Sequence, residues 1–122
     1  MHIIDLNTCA EFIAGDGTLL RELLHPDKAP LDLRYSLAHA IVRPGSTSKP
    51  HRMLTSEVYY ILAGKGKMTI DDETREVLPG HAIYIPPGAL QFIQNTGGTD
   101  LAFLCIVDPA WRAEDEIVIN GN

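Results

Sequence analysis

The stretch Gly45–Gly66, GSTSKPHRMLTSEVYYILAGKG, sets one histidine, His51, six residues before one glutamate, Glu57. An imidazole nitrogen and a carboxylate are both ligands for first-row transition metals. They are equally a pair that can satisfy one another by hydrogen bonding when buried, with no metal. Met53 stands two residues after His51, where a second histidine would complete a metal site. Its thioether suits Cu(I) and is a poor ligand for Mn, Fe(II) or Zn. On an inward strand position a methionine more often fills space.

The elements that must hold these residues are short. Glycine and proline punctuate the chain, and between them lie YSLAHAIV (35–42), EVYYILA (57–63), KMTI (67–70), HAIYI (81–85), LQFIQN (90–95) and LAFLCIV (101–107). Runs of this length, rich in β-branched and aromatic residues and bounded by turn signals, predict an all-β sandwich or barrel. DDE (71–73) reads as the tight turn of a hairpin joining KMTI to TREV. GTLLRELLHP (17–26) fits helical spacing through Leu19, Leu20, Leu23 and Leu24, with Asp16 or Thr18 as its cap. A strand is the rival reading there, because the segment is short and Pro26 stops it. Alternation along strands then sorts the side chains. His51 shares a face with Met53, Glu57 with Tyr59 and Ile61, and Gln91 with Ile93 and Asn95. In the tail DPAWRAEDEIVINGN, Trp111 reads as a packing anchor and AEDE as solvated surface.

Composition narrows the partners. With 122 residues the chain suits one domain around one core. The formal net charge of −6 argues against nucleic acid or an anionic membrane as the main partner. No apolar run approaches the ~20 residues that a membrane span requires. MHIIDLNTCAEF lacks the basic-then-apolar order of a signal peptide. The two cysteines, Cys9 and Cys105, form no CxxC pair and read as reduced thiols of a cytoplasmic protein.

Two spaced motifs resemble those of the cupin superfamily, in particular its small single-domain members. Gly45, His51, Glu57 and Gly64 fall in register with the first motif, and Met53 takes its second histidine position. Gly80, Pro86, Gly88 and Asn95 fall in register with the second, and Gln91 replaces its histidine. The resemblance implies a jelly-roll barrel of two antiparallel sheets, with a core of about 35–107 and a tail of 108–122. It implies that His51, Glu57 and Gln91 converge inside the barrel, with Met53, Tyr59, Ile93, Phe103 and Cys105 lining the pocket and Ala38 and Ala40 leaving space beneath. The glycines and prolines of the motifs build turns, and His2, His25 and His81 have no motif support.

Two functional classes follow from that likeness. In one, His51, Glu57 and Gln91 hold a divalent transition ion (Zn, Fe, Mn, Ni or Cu) in an oxygenase, isomerase or lyase acting on a small molecule. In the other, the barrel binds a small molecule as a sensor or stabilising module, without metal or turnover. An ionised Glu57 in an apolar interior is costly without a cation, which tilts the expectation toward the metal. Fold does not choose between the classes. The resemblance also implies a homodimer, and Leu37, His39, Ile41, Val58 and Tyr60 form an apolar set on the expected outer faces, with His39 read as an interface or packing residue.

Overall fold

The computed structural model describes residues 1–119; the last three residues of the tail read above lie outside them. The strands are β1 (Phe12–Ile13), β2 (Leu19–Leu24), β3 (Ser36–Val42), β4 (His51–Met53), β5 (Ser56–Ala63), β6 (Gly66–Ile70), β7 (Glu73–Val77), β8 (Ala82–Ile85), β9 (Leu90–Asn95), β10 (Leu101–Asp108) and β11 (Glu116–Val118). They form two antiparallel sheets, ordered β1-β2-β3-β10-β5-β8 and β11-β4-β9-β6-β7. This is the all-β, two-sheet jelly roll that the resemblance implies. Among the described residues no helix is long and apolar enough to cross a membrane.

The expected alternation is present. Along β5 the side chains of Glu57, Tyr59 and Ile61 are buried, while Tyr60 and Leu62 are exposed. Along β9 Gln91, Ile93 and Asn95 are buried, and along β10 Leu101, Phe103, Cys105 and Val107. These faces meet in one core with Ala38, Ala40, Met53, Met68 and Ile85. Period-2 burial from both sheets is how a sandwich interior is filled.

The 17–26 segment resolves as strand. Leu20 lies opposite Ala40 and Glu22 opposite Ala38, with a register shift between Glu22 and Leu24. A helix of so few residues has little stability of its own. Pairing along the free edge of β3 satisfies the same backbone groups and sets Leu20 against the core. The DDE turn is present, with β6 and β7 paired from Ile70↔Glu73 to Gly66↔Val77. Asp71 turns the chain at a φ of 53° and its carboxylate accepts from the Leu90 amide at 2.9 Å.

Asn95 ends β9 as a three-way tie. Its amide donates to the Val42 and Thr99 carbonyls at 2.9 and 2.7 Å, and its oxygen accepts from the Gly97 amide at 2.9 Å. His25 has a structural role as well: Nδ1 accepts from the Asp27 amide at 3.0 Å, so Nε2 donates to the Trp111 carbonyl at 2.8 Å. His39 lies on the outer side of β3 yet is buried, and its Nδ1 has no partner among the described residues. Burial holds its imidazole below the usual value, and nearby Arg21 adds to that. Cys9 and Cys105 are both free thiols.

Gly64 closes β5 where no side chain fits. Its φ is +90°, and a Cβ there would stand 2.5 Å from the Asp100 carbonyl oxygen and 2.8 Å from the Leu101 Cα. Replacing Gly64 with alanine combines left-handed strain with a backbone clash, so it is expected to cost about 2–4 kcal/mol. Urea unfolding of the two proteins measures this, and a loss under ~0.5 kcal/mol would show that the turn yields.

Candidate functional site

The site is a polar chain buried between the sheets. β4 and β9 place His51 opposite Gln91 on one sheet. β5 and β10 place Glu57 opposite Val107 on the other, with Tyr59 opposite Cys105. The Gln91 amide nitrogen donates to Glu57 Oε1 at 2.8 Å, and the Tyr59 hydroxyl donates to Gln91 Oε1 at 3.1 Å. The Cys105 thiol donates to Glu57 Oε2 at 2.8 Å. Tyr59 also packs on Phe103, with ring centroids 4.4 Å apart.

His51 is held from the other end. The Lys49 carbonyl accepts from its Nδ1 at 2.9 Å, which leaves Nε2 as the free nitrogen. That nitrogen faces Asp16 Oδ2 at 3.9 Å. From the sequence Asp16 is expected only as a helix cap, not as a residue of the cavity. It arrives in the turn before β2, where its Oδ1 accepts from the Thr18 amide and hydroxyl at 3.1 and 2.8 Å. The Lys49 amide donates to the Asp16 carbonyl at 2.7 Å and ties this turn to the residues leading into β4. The only signal in the sequence was the Asp-Gly-Thr turn itself.

Above the polar chain lies a cavity of about 580 Å³. Met53, Glu57, Tyr59, Phe103 and Cys105 line its inner part, together with Ala38, Ala40 and Asp16. Ile93, expected in the lining, is instead fully buried in the core. Phe12–Gly15, Trp111–Glu114 and Glu116, exposed or half-buried, line its outer part. The tail departs from its reading as solvated surface. Glu116 begins β11, pairs opposite Met53, lines the cavity and accepts from the Trp111 indole at 2.7 Å.

Burial decides the electrostatics. It pushes the Glu57 carboxyl above its usual value, while the hydrogen bonds from Cys105 and Gln91 and the charge of His51 oppose it. Burial raises the Cys105 thiol and the Tyr59 phenol well above theirs, and the neighbouring Glu57 adds to both. Both are therefore hydrogen donors at neutral pH, the role each plays here.

The donor set suits a tightly held resident ion poorly. Both Glu57 oxygens and both Gln91 amide atoms are engaged by protein partners. Among the described residues no group of three His, Cys, Asp or Glu side chains converges closely enough to hold a metal. Among the described residues the buried side-chain atoms left without a partner, His39 Nδ1 and Thr55 Oγ1, belong to neither the polar chain nor the cavity.

Comparison with known proteins agrees with the fold. The family described as Cupin domain matches residues 38–107, and the chain belongs to it. An uncharacterized protein of Methanocaldococcus jannaschii is 44% identical over 109 residues, covering 88% of this chain and 86% of that one. An oxalate-binding protein of Thermotoga maritima is 33% identical over 90 residues, 73% of this chain and 69% of its own length. Mannose-1-phosphate guanylyltransferase 2 of Escherichia coli O157:H7 is 31% identical over 105 residues, but the chain spans only 21% of it. The crystal structure of a cupin 2 conserved barrel domain protein from Salinispora arenicola superposes with a TM-score of 0.77 at 19% identity, covering 93% of this chain and 91% of that one.

The raised Glu57 carboxyl has a testable consequence. Once the pH passes the ordinary carboxyl value, the unfolded chain gives up a proton that the folded chain retains, so stability falls as pH rises through that window. Glu57→Gln cannot ionise and keeps an acceptor for Gln91. Its melting temperature is expected to gain on that of wild type as pH rises from 4 toward neutrality. A constant difference between the two proteins across that range would refute the assignment.

Proposed function

We propose that this chain is a small-molecule-binding cupin whose ligand sits in the barrel cavity against the Tyr59–Gln91–Glu57–Cys105 network. The carrying observation is that network: a self-satisfied polar floor beneath an apolar-walled space of about 580 Å³. Sites for small molecules are concave, largely apolar and oriented by a few fixed polar groups. Residues already locked by one another hold their geometry when a ligand arrives.

A second reading, the metal-dependent enzyme, has one observation in its favour. His51 is fixed through Nδ1 with Nε2 free, the way a protein commonly prepares a histidine ligand. Under that reading His51, Glu57 and Gln91 take up a divalent transition ion, which would supply Lewis-acid chemistry. With one imidazole and a neutral amide, the ion would be weakly held. Calorimetric titration with Zn or Mn separates the readings. Wild type is expected to bind either ion weakly or not at all, and Met53→His to bind at least ~tenfold tighter, since it adds the missing imidazole. A tightly bound stoichiometric ion in the untagged wild type, lost in Glu57→Gln, would establish the metal reading instead.

The partner we propose is a second copy of this chain. Register places Leu37, Ile106, Val58 and Tyr84 side by side across β3, β10, β5 and β8, with His39, Leu104, Tyr60 and Ala82 in the next row. Tyr84 is 62% exposed and Tyr60 43%. A contiguous apolar face of this kind marks an interface, and a two-fold pair is the commonest solution. Light scattering at micromolar concentration should give twice the chain mass, and Tyr60→Glu should halve it. A wild-type monomer would rule the pairing out.

A further inference from the structure

The charge lining the cavity is one-sided. Asp16, Glu22, Asp27, Glu57, Glu114 and Glu116 face it against Lys28 and Arg112. Both basic residues are already matched: Lys28 Nζ stands 2.7 Å from Glu22, and Arg112 stands 3.8 Å from Asp27. Asp16, Glu114 and Glu116 remain, with no lysine or arginine paired to them among the described residues, while Glu57 is taken up in the buried network.

Asp16 carries the argument inward. It is 7% exposed and lines the cavity. Its Oδ1 is occupied by Thr18, whereas Oδ2 accepts no hydrogen bond; the nearest base is His51 Nε2 at 3.9 Å. Asp16 is a largely buried residue whose Oδ2 has no hydrogen bond within the protein and borders the cavity, where a ligand's donor can reach it. Tyr59 and Phe103, both buried, and the exposed Trp111 line the same cavity. Carboxylates combined with aromatic rings are how proteins take up ammonium and other onium groups.

Resting on the small-molecule reading above, we propose that the barrel cavity is the site of a compact organic cation, an onium group with a short polar substituent, and that Asp16 Oδ2 is its acceptor. Among the described residues lining the cavity, a carboxylate ligand would find no free guanidinium or ammonium to pair with, and it would enter against the carboxylates of Asp16, Glu114 and Glu116. The overall charge of −6 also draws cations toward the protein and repels anions. The site therefore selects against oxalate, despite the similarity to an oxalate-binding protein.

Calorimetric titration with three probes of similar size tests this: choline chloride, glycerol and potassium oxalate, each in low-salt buffer and again in ~150 mM NaCl. Choline is expected to bind wild type at least tenfold tighter than glycerol or oxalate, and more weakly in salt. Asp16→Asn keeps the Oδ1 acceptor for Thr18, so it should fold with an unchanged melting temperature, and its choline affinity should fall at least tenfold. Trp111→Leu leaves Asp16 in place and should weaken choline less than Asp16→Asn does. Oxalate or glycerol binding as tightly as choline, or a folded Asp16→Asn that binds choline like wild type, would overturn the proposal while leaving the small-molecule reading intact. Absence of binding by all three probes, and by a mixed-charge fragment set in saturation-transfer NMR, would overturn both.

Discussion

Gln91 is one buried amide that reaches across the gap between two sheets. It stands on β9, yet its nitrogen donates to Glu57 and its oxygen accepts from Tyr59, both on β5 of the opposite sheet. A buried polar group must find partners, and Gln91 finds both of its side-chain partners on the facing layer. That requirement fixes how the layers sit over each other more narrowly than apolar packing does, since hydrophobic contact is non-directional. The burial of Glu57, the donor roles of Tyr59 and Cys105, and the position of the cavity floor all depend on that bridge.

Much of this was legible from the sequence, for local reasons. Alternation has a period of two and needs no knowledge of the fold, so the inward sets on β4, β5 and β9 could be assigned from the residues alone. The spaced glycines, prolines and Asn95 marked turns because few other residues tolerate those conformations. Position 17–26 was ambiguous because four leucines satisfy helical spacing and strand pairing equally well. Only the free edge of β3, a tertiary fact, decides between them.

The cavity positions of Asp16 and Glu116 were missed for a different reason. Neither lies in a periodic run or a spaced motif. Asp16 reaches the interior because a turn is tied to Lys49, and Glu116 because the tail returns as β11 beside β4. Ile93 shows the converse error. It shares a face with Gln91, as alternation requires, but depth along the barrel axis separates core from cavity wall, and alternation carries no information about depth.

The outer part of the cavity is lined by Phe12–Gly15, Trp111–Glu114 and Glu116, which lie outside the two motifs. They meet closely: a Cβ on Gly15 would stand 3.1 Å from Glu116 Oε1. The strands that build the barrel are thus largely separate from the pieces that shape its entrance. Substitutions at Ala14, Gly15 or Arg112–Glu114, which belong to no strand, can alter which molecule is admitted without disturbing a strand register, whereas substitutions among the buried motif residues disturb the polar network. Divergence in ligand preference among barrels of this shape can therefore accumulate at the rim while the scaffold stays unchanged.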